Sequence, residues 1–469
     1  MLGISVNNVV GLGDYEKAKL AKLIAVYDSH NLKNIEKERY YDGKVSLGSV
    51  NLGIALPENF QKLEIGCAWG AKTVDVLAAR SMFDGFVGAG GVDNGEMDTI
   101  VSGNNLITEY IKACRDELKY GCTFATLSKD DAIGCRIRFH SPQTAAALWD
   151  GQAGRIDCGM AIIDTMPSDE SALMWTPSLI NLYTSDAVWV ITKRNDYIWD
   201  AERHPHRMGR PLMEAMIWNA TSNKPFGRSR IKEPIRRLIQ GYVRTIANAT
   251  IGLEFATSPQ KYLLGVTDEQ YDVVINQKFR QYVGSILAST TNPETGEKPT
   301  FGQLTQGNIS PHVEMVRILS TQFSAATGLP VTDTGVVNDA NPTSSDAIEA
   351  QTKTLVGLAQ ELNTGNGNAL QNIAHMALAI SSDTTLEGLT DDQRSIMAHF
   401  KNPAMPSVAV TADAAIKIAS ARQGFAQTDT FLEMVGFSPA DVRRIKAQET
   451  RSRGLQVLDE IATIEDVVE

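Results

Sequence analysis

The sequence predicts an α+β chain of several structural units, and three observations carry that prediction. Short β-rich runs alternate with amphipathic stretches up to residue 224. The composition shifts at Pro225, where long helical periodicity begins. Two such helices flank a broken segment, and a long unpatterned loop follows the second. At 469 residues the chain exceeds one compact core, so two to four units are expected. With 43% hydrophobic and 21% charged residues it is globular and not broadly disordered, and 37 glycines suit a chain with many bends.

Residues 14–39 read as a helix opened by Asp14, with Leu20, Leu23, Ile24 and Tyr27 as its apolar stripe. Gly70–Met82 repeats that spacing through Val74, Leu77 and Ala78. Cys122–Leu127 and Cys135–Phe139 are β-formers around the turn-prone SKDDAIG. Ser141-Pro142 reads as a helix start leading into TAAALW. Arg155–Ile163 and Asp186–Thr192 return to strand character.

Beyond Pro225, Ser229 reads as the cap of a long helix carrying Ile231, Ile235, Leu238, Tyr242, Ile246 and Leu253. Running to about Ala256, it would be roughly 40 Å long. Pro234 is tolerable there because few backbone donors are paired in the first turns. Residues 257–309 break the pattern, with NPETGEKP as a loop. Ser310-Pro311 opens a second helix with Val313, Val316, Leu319 and Phe323, ended by Gly328. LPVTDTGVVNDANPTSS, residues 329–345, has no period and reads as a functional or mobile loop. Ser344 or Ser345 then caps another long helix, which NTGNGN kinks or interrupts before Ala369–Ile380. From Asn402 the chain reads as helical: Asp413–Ala421, Thr430–Val435, and a basic helix opened by Ser438-Pro439-Ala440-Asp441.

The net charge of −11 disfavours a protein that grips nucleic acid by neutralising phosphates. Against that background Lys224, Arg228, Arg230, Lys232, Arg236, Arg237 and Arg244 face only Glu233, a local excess of six positive charges. Such a belt fits a solvated face, an acidic neighbouring subunit or DNA phosphate. Cys67, Cys114, Cys122, Cys135 and Cys158 are odd in number and lack C-x-x-C spacing, which fits reduced thiols in a cytosolic protein. GAGGVDNG at 88–95 lacks the third glycine of a dinucleotide loop and reads as a turn. His204-Pro205-His206 reads as a polar loop, not a metal site. No P-loop, nucleophile elbow or H-E-x-x-H occurs, so no catalytic residue, metal or cofactor is predicted. No leader pattern or run of roughly 18 apolar residues is found. The turn GFSPAD before Arg443, Arg444 and Lys446 can mimic a helix-turn-helix, although helical hairpins of this kind are commoner than DNA readers.

Several segments in this order resemble the portal proteins of long-tailed bacteriophages. They are ERYYDGK at 38–44, CAWGAKTVDVLAARSMFDGF at 67–86, and PFGRSRIKEPIRRLIQGYVRTIAN at 225–248 with its Gly-Arg-Ser before a long helix. SPQKYLLGV at 258–266, FSAATGLPV at 323–331 and SSDAIEAQTKTL at 344–355 continue the likeness, which is weakest over 257–309 and the last forty residues.

The resemblance implies a mixed α/β wing at 1–224, a first stem helix at 225–256, and a small α/β clip at 257–309. It implies a second stem helix at 310–328, a tunnel loop at 329–345, an interrupted helix with a return to the wing at 346–401, and a helical crown at 402–469. It further implies a cyclic ring, usually a dodecamer, at the capsid vertex of the virion and assembled in the host cytoplasm. Genomic double-stranded DNA would pass through it during packaging and ejection. The partners implied are the terminase large subunit, the major capsid protein and scaffold, and a head-completion adaptor, with no membrane, cofactor or enzymatic activity. The loop residues facing the channel would be Thr332, Asp333, Thr334, Val336, Val337, Asn338 and Asp339, which include no cation. Arg228, Arg230, Lys232, Arg236, Arg237 and Arg244 would form a basic belt on the stem. A dodecamer would carry on the order of −130 charges, which would keep DNA from adhering. Two other classes stay open: a non-enzymatic DNA-binding protein, marked by steep salt dependence, and a minor head structural protein.

Overall fold

The computed structural model describes the backbone of residues 2, 4–45, 65–88, 95–168, 171–195, 197–257, 261–264, 296, 300–303, 308–335, 345–404, 408–422, 424–437 and 439–468. In chain order the elements are β1 (Val9–Val10), α1 (Asp14–Tyr41), α2 (Trp69–Ala78), β2 (Phe83–Val87), α3 (Gly95–Gly103) and α4 (Leu106–Tyr120). Then come β3 (Cys122–Asp130), β4 (Gly134–His140), β5 (Ala145–Asp150), β6 (Arg155–Ser168), β7 (Ser171–Tyr183), β8 (Ala187–Lys193), β9 (Trp199–Pro205) and β10 (Met213–Ile217). The helical part holds α5 (Glu233–Thr257), the short strands β11 (Lys261–Leu264) and β12 (Thr300–Gln303), α6 (Ser310–Thr327) and α7 (Ser345–Ser381). It closes with α8 (Asp391–Arg394), β13 (Met397–Phe400), α9 (Val408–Ala421), α10 (Asp429–Val435) and α11 (Pro439–Val468). The chain is thus mixed α/β, as the sequence predicts.

In the sheet ordered β1-β9-β8-β7-β6-β5, the β5–β6 end is buried on both faces. Leu20 and Leu23 of α1 join Ala146, Cys158, Met160, Ile180, Leu182 and Ile191 in one core cluster. Ala145, Ala147, Ala161 and Tyr183 join the other cluster, as the two-residue period of a strand requires. This double burial corrects the reading of TAAALW as helix. Ser141–Thr144 forms a turn, with the Thr144 amide donating to the Ser141 carbonyl at 2.9 Å. Ala145–Asp150 then pairs antiparallel with β6. Alanine has high helix propensity, but a ladder partner and small residues needed on both faces override it.

The second sheet, β10-β3-β4, carries α4 and α7. Here the expected interruption of α7 fails: the helix runs unbroken for 37 residues through NTGNGN. The reason is tertiary. Asn366 is fully buried, and its amide donates to the Tyr110 hydroxyl at 3.0 Å and to Glu117 Oε2 at 2.8 Å. Asn363 Oδ1 accepts from Ser81 at 2.6 Å, and Ser81 is hydrogen-bonded to the same tyrosine hydroxyl. Residues that favour turns in isolation here connect the helix to the α/β body.

Candidate functional site

The α5–α6 hairpin and its junction with the body form the part of the molecule on which a function can be argued. Ile235, Ile239, Val243 and Ala247 repeat every four residues, all buried, and make one stripe along α5. Leu319 and Phe323 of α6 complete that core. The pairing is antiparallel: Arg230, just before α5, reaches Thr327, and Gly241 lies against Leu319. The hairpin's far end leads to the antiparallel pair β11–β12. Most of the remaining residues of 257–309 lie outside the described ones.

Helix α5 begins at Glu233, four residues later than its sequence suggests, and Pro234 occupies the first turn. Ser229 is not its cap. The Ser229 hydroxyl donates to the Lys119 carbonyl at 2.5 Å and accepts from the Ile231 amide at 2.9 Å. Gly227 sits at φ +67°, and a Cβ there would meet the Trp218 carbonyl. Gly-Arg-Ser therefore fastens the chain across the end of α4 before α5 can start.

Arg230 is the central tie. It is buried, and its guanidinium donates to the carbonyls of Thr73 and Thr327, both at 2.7 Å. Thr327 ends α6, where unpaired carbonyls and the helix dipole favour a cation. Burial lowers the Arg230 pKa to about 10, so it remains charged at neutral pH. Trp69 completes the junction. Its ring lies 4.5 Å from Tyr242 and 4.6 Å from Phe323, centroid to centroid, and its indole N–H donates to the Thr334 carbonyl at 3.2 Å.

The segment predicted as a structureless loop is folded over its first seven residues. Gly328 ends α6 at φ +72°, Leu329 is buried, and Val331–Thr334 makes a single 3-10 turn. Ser324 donates to the Leu329 carbonyl at 2.6 Å. Thr334 is buried and its hydroxyl is hydrogen-bonded to Ser320 and to the Val331 carbonyl. Thr332 is exposed and Asp333 half-buried. Val336, Val337, Asn338 and Asp339 lie outside the described residues.

The six arginines and lysines of the basic belt do not make one face. Arg230 is internal. Arg236 pairs with Glu36, and with Glu233 at 2.5 Å. Arg237 pairs with Glu233 at 2.8 Å and is largely exposed. Arg228, Lys232 and Arg244 are exposed. Arg237 and Arg244, seven residues apart, share a side of α5.

Near the C-terminus the three cations that open α11 lie beside the chain's own acids. Arg443 pairs with Asp98 and Lys446 with Asp429. Arg444 lies 3.9 Å from Asp441. They are not displayed as a row of phosphate ligands. All five cysteines are buried and free. No group of three metal-ligating side chains occurs among the described residues, and no described helix is long and apolar enough to cross a membrane.

Sequence reasoning missed Trp69, Arg230 and Thr334 as one junction, and Glu117 with Asn366 as another. The only signal was that Trp69 and the Gly-Arg-Ser lie in the segments quoted for the resemblance.

Two curated relatives align over nearly the whole chain. The portal protein of Mycobacterium phage D29 is 21% identical over 454 residues, covering 93% of this chain and 90% of the relative. The portal protein of Mycobacterium phage L5 is 22% identical over 454 residues, covering 93% and 89%. The chain is a homologue of phage portal proteins. No protein-family model matches it. Among solved structures, a chain from the virion of a native gene transfer agent particle has a TM-score of 0.45 at 13% identity, over 79% of this chain and 90% of that one. A chain from the neck of the native particle, computed with C12 symmetry, has a TM-score of 0.44 at 13% identity with the same coverage.

Proposed function

We propose that the chain is the subunit of a phage portal, a structural ring at the capsid vertex through which genomic DNA is packaged and ejected. The observation that carries this reading is the alignment with two portal proteins over 93% of the chain. The exposed apolar side chains of the hairpin support it physically. Leu253, Val313, Met315 and Ile318 lie toward the end of the hairpin away from the body, and all are about half exposed in the single chain. Neighbouring copies packed side by side bury such residues, and a closed cyclic arrangement avoids open filaments.

In this reading α5 and α6 are the stem, 257–309 the clip that meets the packaging motor and then the head-completion adaptor, and 402–469 the crown. The body up to residue 224 is the wing, facing the major capsid protein and scaffold. A dodecamer is the expected ring, the terminase large subunit the motor, and double-stranded DNA the cargo. The cations left exposed on the stem, Arg237 and Arg244, would face a neighbouring subunit.

The loop 329–345 is the channel loop in this reading, and its described part is held through Thr334. A deletion that tests the loop must therefore spare Thr334. Removing 336–339 should leave rings intact and reduce packaged or retained DNA, and a normal virion yield would sink that assignment.

The reading as a whole is tested by electron microscopy of the purified full chain. Class averages with about twelve-fold rotational symmetry around an open channel are expected. A monomer or dimer that persists at high concentration would overturn it and favour the DNA-binding alternative.

A further inference from the structure

A cleft of about 940 Å³ opens between β3–β4 on one wall and β7–β9 on the other, with the end of α7 closing one side. Its volume is in the range of sites that take small ligands or short peptide segments. The lining is aliphatic, with Ile163, Val188, Val190, Met208, Leu212 and Ile380. Around it stand Arg138 from β4, Lys129 from β3, and Arg207 just after β9. Among the described residues, the guanidinium groups of Arg138 and Arg207 have no ion-pair or hydrogen-bond partner. Lys129 reaches only Asp383, at 3.7 Å, and that carboxylate is itself exposed. Asp383 is the one acid in the lining, so three permanent cations leave a local excess of two positive charges on a chain of net charge −11.

Two further groups line the cleft with unmet hydrogen-bonding capacity. Asn181 Oδ1 and His206 Nε2 are buried and have no partner. Buried polar atoms without partners are uncommon in folded proteins and mark places where another molecule completes the bonding. His206 belongs to the His-Pro-His motif, which the sequence reading assigned to a polar loop; its proline ends β9 and both histidines line the cleft.

From this arrangement we infer that the cleft is a docking site for an acidic peptide segment of a second protein, one with aliphatic side chains between its carboxylates. The arginines would take the carboxylates, in the planar two-point geometry that guanidinium favours. The aliphatic lining would take the intervening side chains. A nucleic acid fits this surface poorly: it offers phosphates but few aliphatic groups, and neither Phe nor Trp lines the cleft to stack on bases. The inference concerns a single subunit and goes beyond the ring reading, so it stands or falls separately.

The test is fluorescence anisotropy on the full chain with a labelled peptide of about a dozen residues, alternating Glu or Asp with Leu or Val. Saturable binding is expected, weakening as salt rises. Arg138→Glu with Arg207→Glu should weaken it at least about tenfold, and Arg207→Ala alone by less. Both arginines are exposed, so these changes spare the core, which circular dichroism verifies. Met208→Asp should also weaken binding, because it places a charge against the lining. Absence of binding, equal binding of a version with Gln in place of every acid, or equal affinity in the double variant would overturn the inference. Displacement by a DNA oligonucleotide would point to nucleic acid instead. Binding to unassembled chain but not to rings would show that a second copy covers the cleft, and would equally overturn it.

Discussion

The two ends of the α5–α6 hairpin differ in who completes their packing. At the body end the packing is supplied within the chain: Arg230 caps the last carbonyl of α6, Trp69 packs between Tyr242 and Phe323, and Thr334 is held by three hydrogen-bonding groups. At the far end Val313 is 51% exposed and Leu253 46%. Helices of similar amphipathic character are thus covered by the protomer at one end and left exposed by it at the other. In the ring reading proposed above, such a hairpin would fold before it assembles, because its root is fixed by the body, and neighbours would cover its tip.

That contrast is most directly broken at the tip. Val313→Asp with Ile318→Asp should abolish ring formation in sedimentation or microscopy, while changing the unfolding free energy of the protomer by no more than about 0.5 kcal/mol. A stability loss comparable to that of a core mutation would mean that the tip is covered by its own chain.

At the root the expectation is reversed. Arg230→Met leaves the terminal carbonyl of Thr327 without its donor, removes a second hydrogen bond to Thr73, and should cost about 2–4 kcal/mol in denaturant unfolding. The loss should appear in unassembled protein as well as in rings.

The second buried junction, between α4 and α7, gives a pH-dependent version of the same comparison. Burial pushes the Glu117 carboxyl from its ordinary 4.5 up to about 8. Between those values the folded chain holds a proton that the unfolded chain has released. The protonated carboxyl's contribution to stability is therefore full below about pH 4.5 and is lost as pH rises through 8. Glu117→Gln removes this titration and should stabilise the protein by about 1–3 kcal/mol above pH 8 relative to wild type, with little difference near pH 4. His140, lowered by burial to about 4, titrates with the opposite sign, losing stability as pH falls from 6.5. It is present in both proteins and cancels in the comparison. A constant difference between variant and wild type from pH 4 to 9 would contradict the assignment.

The smallest effect concerns α7 itself. Gly367 is mid-helix, and a Cβ there would meet Phe400 at 3.7 Å, an ordinary contact. Gly367→Ala should stabilise the protein by about 0.5–1 kcal/mol, read as a higher denaturant midpoint with unchanged slope. A destabilisation would indicate that the helix needs the freedom NTGNGN suggests.

Much of this organisation is legible in the residues. The helix at α1, the strands β3 and β4, the Ser310-Pro311 start of α6 and its stop at Gly328 all follow from local periodicity and local caps, which depend on neighbours within a few positions. The errors share one cause. TAAALW became a strand because β6 and two cores claimed it. Ser229 gave up a capping role because the Lys119 carbonyl lay 110 positions away in sequence but 2.5 Å away in space. NTGNGN stayed helical because Tyr110 and Glu117 bond Asn366 and Ser81 bonds Asn363. In each case a long-range partner outweighed a local preference worth about 1 kcal/mol or less.

The sequence by itself determined the mixed α/β class, the long paired helices, the excess of positive charge before and along α5, and the order of segments shared with phage portal proteins. Tertiary structure alone decided which of those charges are free. Arg230 and Arg236 are consumed inside the chain, whereas Arg228, Lys232 and Arg244 are exposed. It also decided that the predicted loop is anchored through Thr334. Charge and period are properties of residue order, but burial and pairing depend on which distant segments meet, and that is set only when the chain folds.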